Sequence, residues 1–103
     1  MLVVPSHNGV PVRLTEERWR HIVQRHVEMV DLRREVLETV AGPDVIQQGD
    51  FGELLAVRFY PQTPLGGKYL VVAYREITLD EGFVLTAYLT NAPSRRRTTL
   101  WKR

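Results

Sequence analysis

Cysteine is absent from the 103-residue chain, which excludes disulfides, thiolate metal ligands and cysteine nucleophiles and suits a reducing cytoplasm. Long apolar runs are missing too. The longest, Tyr69 to Tyr74, falls far short of the roughly 20 residues that span a bilayer. The N-terminal MLVVP has neither the basic flank nor the apolar length of an export signal. The chain therefore reads as soluble, unexported and cytoplasmic, with no membrane partner. Histidine is scarce: His7, His21 and His26 are the whole set. On a helix the i,i+5 separation of His21 and His26 turns them about 140° apart, which is not ligand spacing, so neither a metal site nor a cofactor is expected. No internal repeat or low-complexity segment is visible, and residues 1–103 read as one domain, long enough to bury about two-thirds of its unfolded surface.

What is present is unevenly charged. The formal net charge is only +2, yet Arg95, Arg96, Arg97, Lys102 and Arg103 crowd one end. Such a cluster suits a phosphate backbone, and it equally suits a solvated, solubilising tail.

The stretch TEERWRHIVQRHVEM, Thr15 to Met29, carries a helix signal. Thr15 is placed as N-cap, Leu14 and Trp19 as a hydrophobic staple, Glu16 and Glu17 in the first turn and Arg25 late, where the macrodipole favours each. At 100° per residue Trp19, Ile22, Val23, His26 and Val30 form one stripe, while Arg18, His21, Arg25 and Glu28 face away. His26 on the apolar stripe is either a core histidine held by a carbonyl or a catalytic group led to the rim of a cleft. A second helix follows, with Asp31 as N-cap, the stripe Leu32, Val36, Leu37 and Val40, and a stop at Gly42-Pro43.

Before these helices, Val3, Val4, Val10, Val12 and Leu14 around Asn8-Gly9 form an extended segment with the makings of a hairpin. After them the hydrophobic period becomes two. Strands are expected at Val45 to Gln48, Glu53 to Tyr60, Lys68 to Glu76 and Gly82 to Asn91, separated by turn residues and joined as an antiparallel meander. The fold class is thus α+β: two N-terminal helices on one face of a four-stranded antiparallel sheet. Placing Phe83, Leu85, Ala87 and Leu89 with Leu70, Val72 and Tyr74 and with Leu55, Val57 and Phe59 under the helices leaves the other face with Arg58, Tyr60, Tyr69, Arg75, Thr86, Tyr88 and Thr90. Guanidinium groups, phenols and hydroxyls suit an RNA strand. A solvated sheet face also favours Thr, Tyr and Arg through β-propensity alone.

The stretches RWRHIVQRHVEM, GKYLVVAYRE and GFVLTAYLT together resemble the phage-associated branch of the barnase, EndoU, colicin and RelE-like nuclease superfamily, from about Leu14 to Trp101. The matching positions are Trp19, His21, Ile22, Arg25, His26 and Glu28, then Lys68 and Tyr69, then Thr86, Ala87, Tyr88 and Thr90. Val27 stands where such sequences often carry proline. The resemblance implies a metal-independent ribonuclease, often a toxin, that cleaves RNA by 2′-OH attack and has a cognate antitoxin protein as partner. Such an attack needs a base, a cation and an acid, and the side chains assigned to them are His26 as acid or base, Arg75 as charge stabiliser, and Tyr88 with Thr86 as positioning or proton-donating groups. RNA would be held by Arg58, Tyr60, Lys68, Tyr69, Thr90, Arg95, Arg96, Arg97 and Lys102. His21 is the reserve catalytic candidate. Two other classes stay open: a catalytically silent RNA-binding module, and a protein interaction domain that pairs through a sheet edge.

Overall fold

Asn8-Gly9 does form a turn, with Gly9 at φ +83°, the left-handed region that glycine enters without strain. It joins strands β1 (Leu2–Pro5) and β2 (Pro11–Leu14) into an antiparallel hairpin. The computed structural model describes every residue from Met1 to Arg103. Helix α1 (Glu16–Arg25) starts where expected: the Thr15 hydroxyl accepts from the Arg18 N–H at 3.1 Å, a cap worth about 1 kcal/mol. It stops earlier than the stripe suggested. His26 leaves helical conformation at φ −133°, ψ 79°, and a 3₁₀ turn, Val27–Met29, follows.

Helix α2 (Arg33–Ala41) has Leu32 as N-cap. Asp31 is exposed and caps nothing, because the Leu32 N–H is already bound to the Met29 carbonyl at 2.9 Å and the chain turns one residue later. Arg33 ties the two helix starts together, donating from Nη1 and Nη2 to the two Glu16 oxygens at 2.9 and 3.0 Å. The predicted stop at Gly42-Pro43 holds, with the Gly42 N–H on the Glu38 carbonyl at 2.8 Å.

The remaining chain supplies β3 (Val45–Gln48), β4 (Leu54–Tyr60), β5 (Lys68–Thr78), β6 (Glu81–Thr90) and β7 (Thr99–Lys102). The four-stranded antiparallel sheet is therefore a wrong expectation, although the protein is α+β. The sheet has seven strands in the order β1-β2-β6-β5-β4-β3-β7 and is mixed, because β2 runs parallel to β6. That parallel contact is short, Val12 to Gly82 and Arg13 to Phe83. It depends on Gly82, where a Cβ would lie 2.7 Å from the Arg75 carbonyl oxygen and 3.2 Å from Val12. Beyond Phe83 no strand pairs with this edge of β6, and the end of α1 lies beside it.

Two apolar clusters lie on opposite faces of the sheet. Under the helices, Trp19, Ile22, Met29, Val36 and Val40 pack on Ala56, Leu70, Val72, Tyr74, Val84 and Ala87. On the other face Leu55, Val57, Val71 and Ala73 pack with Tyr69, Leu85 and Tyr88. The expected faces of β4 are consequently inverted. Its run Leu54-Leu55-Ala56-Val57 is apolar on both sides, since both sides are covered, and alternation cannot assign it. Arg58 and Tyr60 lie on the helix side and not on an RNA-facing surface. The Arg58 Nη1 donates to the Gly42 carbonyl at 3.3 Å, and the Tyr60 hydroxyl meets Thr39 at 3.2 Å and Glu38 at 3.3 Å.

In β6 a bulge pairs Ala73 with Thr86 but Tyr74 with Val84. Leu85 is the extra residue, so Leu85 and Thr86 both turn toward the second face and Val84 goes under the helices.

Tyr74 yields a stability prediction. It is fully buried and its hydroxyl has no hydrogen-bond partner; burial, reinforced by the negative Glu76, pushes the phenol well above its ordinary value. A folded-state value raised above the unfolded one gives stability that is whole below about pH 10 and drains away as pH climbs further. Tyr74→Phe removes an unsatisfied group, so it should melt no lower than the parent at neutral pH and lose less stability at about pH 11. Part of the alkaline loss will persist, because burial also raises the Tyr60 phenol. Melting curves at the two pH values check this, and a substantial drop at neutral pH would show that the hydroxyl is bonded after all.

Candidate active site

The i, i+3, i+7 spacing of Arg18, His21 and Arg25 aligns them along one side of α1. Because the outer edge of β6 is free past Phe83, this side of the helix faces the second face of the sheet at that edge. His26, released from the helix, lies beside them. The floor comes from Leu85, Thr86 and Tyr88, which the bulge turns the same way. Together they enclose an open groove of about 610 Å³.

His26 is neither sealed in the core nor free in solvent; its side chain is 33% exposed. Its ring sits 6.0 Å from that of Tyr88, tilted by 36°. Glu28 places Oε2 3.8 Å from Nδ1, too long for a hydrogen bond but within ion-pair distance of a protonated imidazole. The backbone N–H of His26 still donates to the Ile22 carbonyl at 2.8 Å, so the last helical bond fixes the imidazole at the groove's end. The arginines here differ from half of the others. Arg13, Arg33, Arg34, Arg97 and Arg103 each have a carboxylate partner, whereas no carboxylate lies within ion-pair distance of Arg18 or Arg25. Their guanidinium groups are available to an anion.

No protein-family model matches the chain, and neither a curated protein nor a solved structure is significantly similar to it.

Three of the four catalytic candidates are brought together: His26, Thr86 and Tyr88. The fourth is not. Arg75 lies on the same face but its Nη2 donates to the Phe51 carbonyl at 3.0 Å, in the turn between β3 and β4, away from the groove. Arg18 and Arg25 stand where it was expected to act, and His21 joins His26 on one cavity although helical projection turned them apart. The projection failed because His26 is no longer helical. The stripe Arg18, His21 and Arg25 was visible in the sequence as a polar face, and only the free edge of β6 gives it a partner.

The expected RNA contacts scatter. Lys68 is bound to the Asn91 side chain, and Tyr69 stands edge-on to Phe59 at 5.2 Å between ring centroids. Thr90 and Arg97 line a smaller cavity on the far side of Tyr88. Arg95 and Arg96 are exposed in the connection to β7, and Lys102 is exposed on β7 itself, an edge strand. No helix of the protein is long and apolar enough to cross a membrane.

Proposed function

We propose that the chain is a small metal-independent ribonuclease of the cytoplasm, with the groove between α1 and β6 as its active site. The observation that carries this is the convergence of His21 and His26 with two unpaired arginines, a phenol and a hydroxyl on one open groove. Cleavage by 2′-OH attack needs a base to take that proton, positive charge for the phosphorane oxygens and an acid to protonate the departing 5′ oxygen. These side chains supply all three. His26 takes the 2′-OH proton, Tyr88 donates a proton to the departing 5′ oxygen, Arg18 and Arg25 balance the phosphorane, and Thr86 positions the sugar and phosphate. The products are a 2′,3′-cyclic phosphate and a free 5′ hydroxyl. The resemblance of RWRHIVQRHVEM and GFVLTAYLT to phage-associated nucleases supports the same chemistry. A toxin-type endonuclease of this design would be silenced by an antitoxin seated in the groove.

Incubating the purified protein with RNA in excess chelator tests this. Fragments should carry cyclic phosphate and 5′-hydroxyl ends, and a 2′-deoxy substitution at the cleaved nucleotide should block them. RNA that is bound but uncut would leave a binding module. Fragments with 5′-phosphate ends would mean a different attack.

A further inference from the structure

Beyond Tyr88 the lining changes character. The connection from β6 to β7 crosses the second face of the sheet, and its bend at Ala92-Pro93-Ser94 overhangs Leu55 and Val71. These two are nearly fully buried, at 5% and 3% exposure, and make an apolar floor. Tyr88 forms a wall shared with the groove. About 210 Å³ is enclosed, less than the roughly 300 Å³ at which pockets for drug-sized ligands begin. The space therefore suits one planar ring system.

The rim is polar and held in place. The Gln47 amide donates from Nε2 to the Ser94 carbonyl at 2.8 Å, fixing the bend and leaving Oε1 as an acceptor. Thr90 donates its hydroxyl to the Ala92 carbonyl at 3.1 Å, which keeps the oxygen lone pairs free. Arg97 also lines the cavity, anchored by Nη1 on Asp50 at 2.9 Å. A guanidinium without a carboxylate partner lies at each end of this slot: Arg25 on the groove side, and Arg96 on the other. A phosphodiester chain passing from one end to the other would carry a base directly over the apolar floor.

We infer that this cavity is a base-binding subsite that takes one unpaired nucleobase of the RNA beside the phosphate to be cleaved, an inference that rests on the ribonuclease assignment of the groove. Tyr88 provides a stacking surface, and the acceptors of Gln47 and Thr90 meet the base's edge. A base reaches such a slot only when it is out of a duplex, so the substrate is single-stranded.

Two measurements test it. In the first, methyl NMR signals of Leu55, Val71 and Ala92 are followed during titration with nucleoside 3′-monophosphates and, separately, with ribose 5-phosphate. Nucleotides should shift these methyls, and ribose phosphate should not. In the second, RNA substrates carry an abasic site at each nucleotide flanking the cleaved bond. One abasic position should lower kcat/KM roughly tenfold to a hundredfold, the range expected for a stacked base. Ala92→Trp, which fills the slot, should then cut intact and abasic RNA at similar rates. Equal shifts with both ligands, or tolerance of abasic sites at both positions, would overturn the subsite while cleavage itself persists. Nucleotide-specific shifts without any cleavage would keep the subsite and refute the catalytic assignment.

Discussion

His26→Gln should reduce RNA cleavage by about a hundredfold or more, the usual cost of losing a positioned acid or base, while the protein still folds. Glutamine retains hydrogen bonding but does not titrate near neutrality. The backbone bond from His26 to the Ile22 carbonyl survives the change, and the side chain sits at the groove rather than in the core, so melting should stay close to the parent. His21→Gln should be the milder change. His21 is exposed and lacks the two neighbours of His26, the Tyr88 ring and the Glu28 carboxylate. Measuring kcat/KM and melting for both variants separates the roles. Equal losses would make the two imidazoles an acid and base pair, and a fully active, stable His26→Gln protein would remove His26 from the chemistry.

Met29→Ala should cost about 2 to 5 kcal/mol, as truncation of a buried methionine does, whereas Val27→Ala and Val30→Ala should each change stability by no more than about 0.5 kcal/mol. Met29 is fully buried, while Val27 and Val30 are 73% and 53% exposed. The contrast is informative because an uninterrupted helix would bury Val30 instead. Denaturant unfolding of the three variants decides between the two geometries. Should Val30→Ala prove as damaging as Met29→Ala, the 3₁₀ turn is wrong and His26 returns to the apolar stripe.

The same turn shows what the sequence could convey. Signals that act within a few residues were legible: the Thr15 cap, the Gly42-Pro43 stop, the Asn8-Gly9 turn and the four strands β3 to β6. His26 carries no helix-breaking chemistry, so the end of α1 was not. Pairings made at a distance were equally silent. The parallel contact of Val12 with Gly82 and Arg13 with Phe83 has no local signature, and β7 hides its four residues within the basic end. The Leu85 bulge offset the alternation of β6 by one residue, which misplaced Phe83 and Leu85, while Thr86, Tyr88 and Thr90 kept the face assigned to them. The groove was therefore half legible. Thr86 and Tyr88 of its floor followed from the strand and His26 from residue type, but Leu85 needed the bulge, and Arg18, His21 and Arg25 needed an edge of β6 that only the short parallel contact leaves open.

That short parallel contact also orders events in time. The hairpins linking β3, β4, β5 and β6 join neighbours along the chain and incur little loop-closure entropy, whereas β2 meets β6, and β7 meets β3, only across long intervening stretches. The central hairpins can therefore form early, with the two outer attachments closing after them. The groove has no existence in an early state that contains only the central strands, because its helical wall is delivered by β2. Completion of the groove then follows the closing of the outer strands, and local opening at the β2 edge would take away its helical wall while the centre of the sheet stays paired.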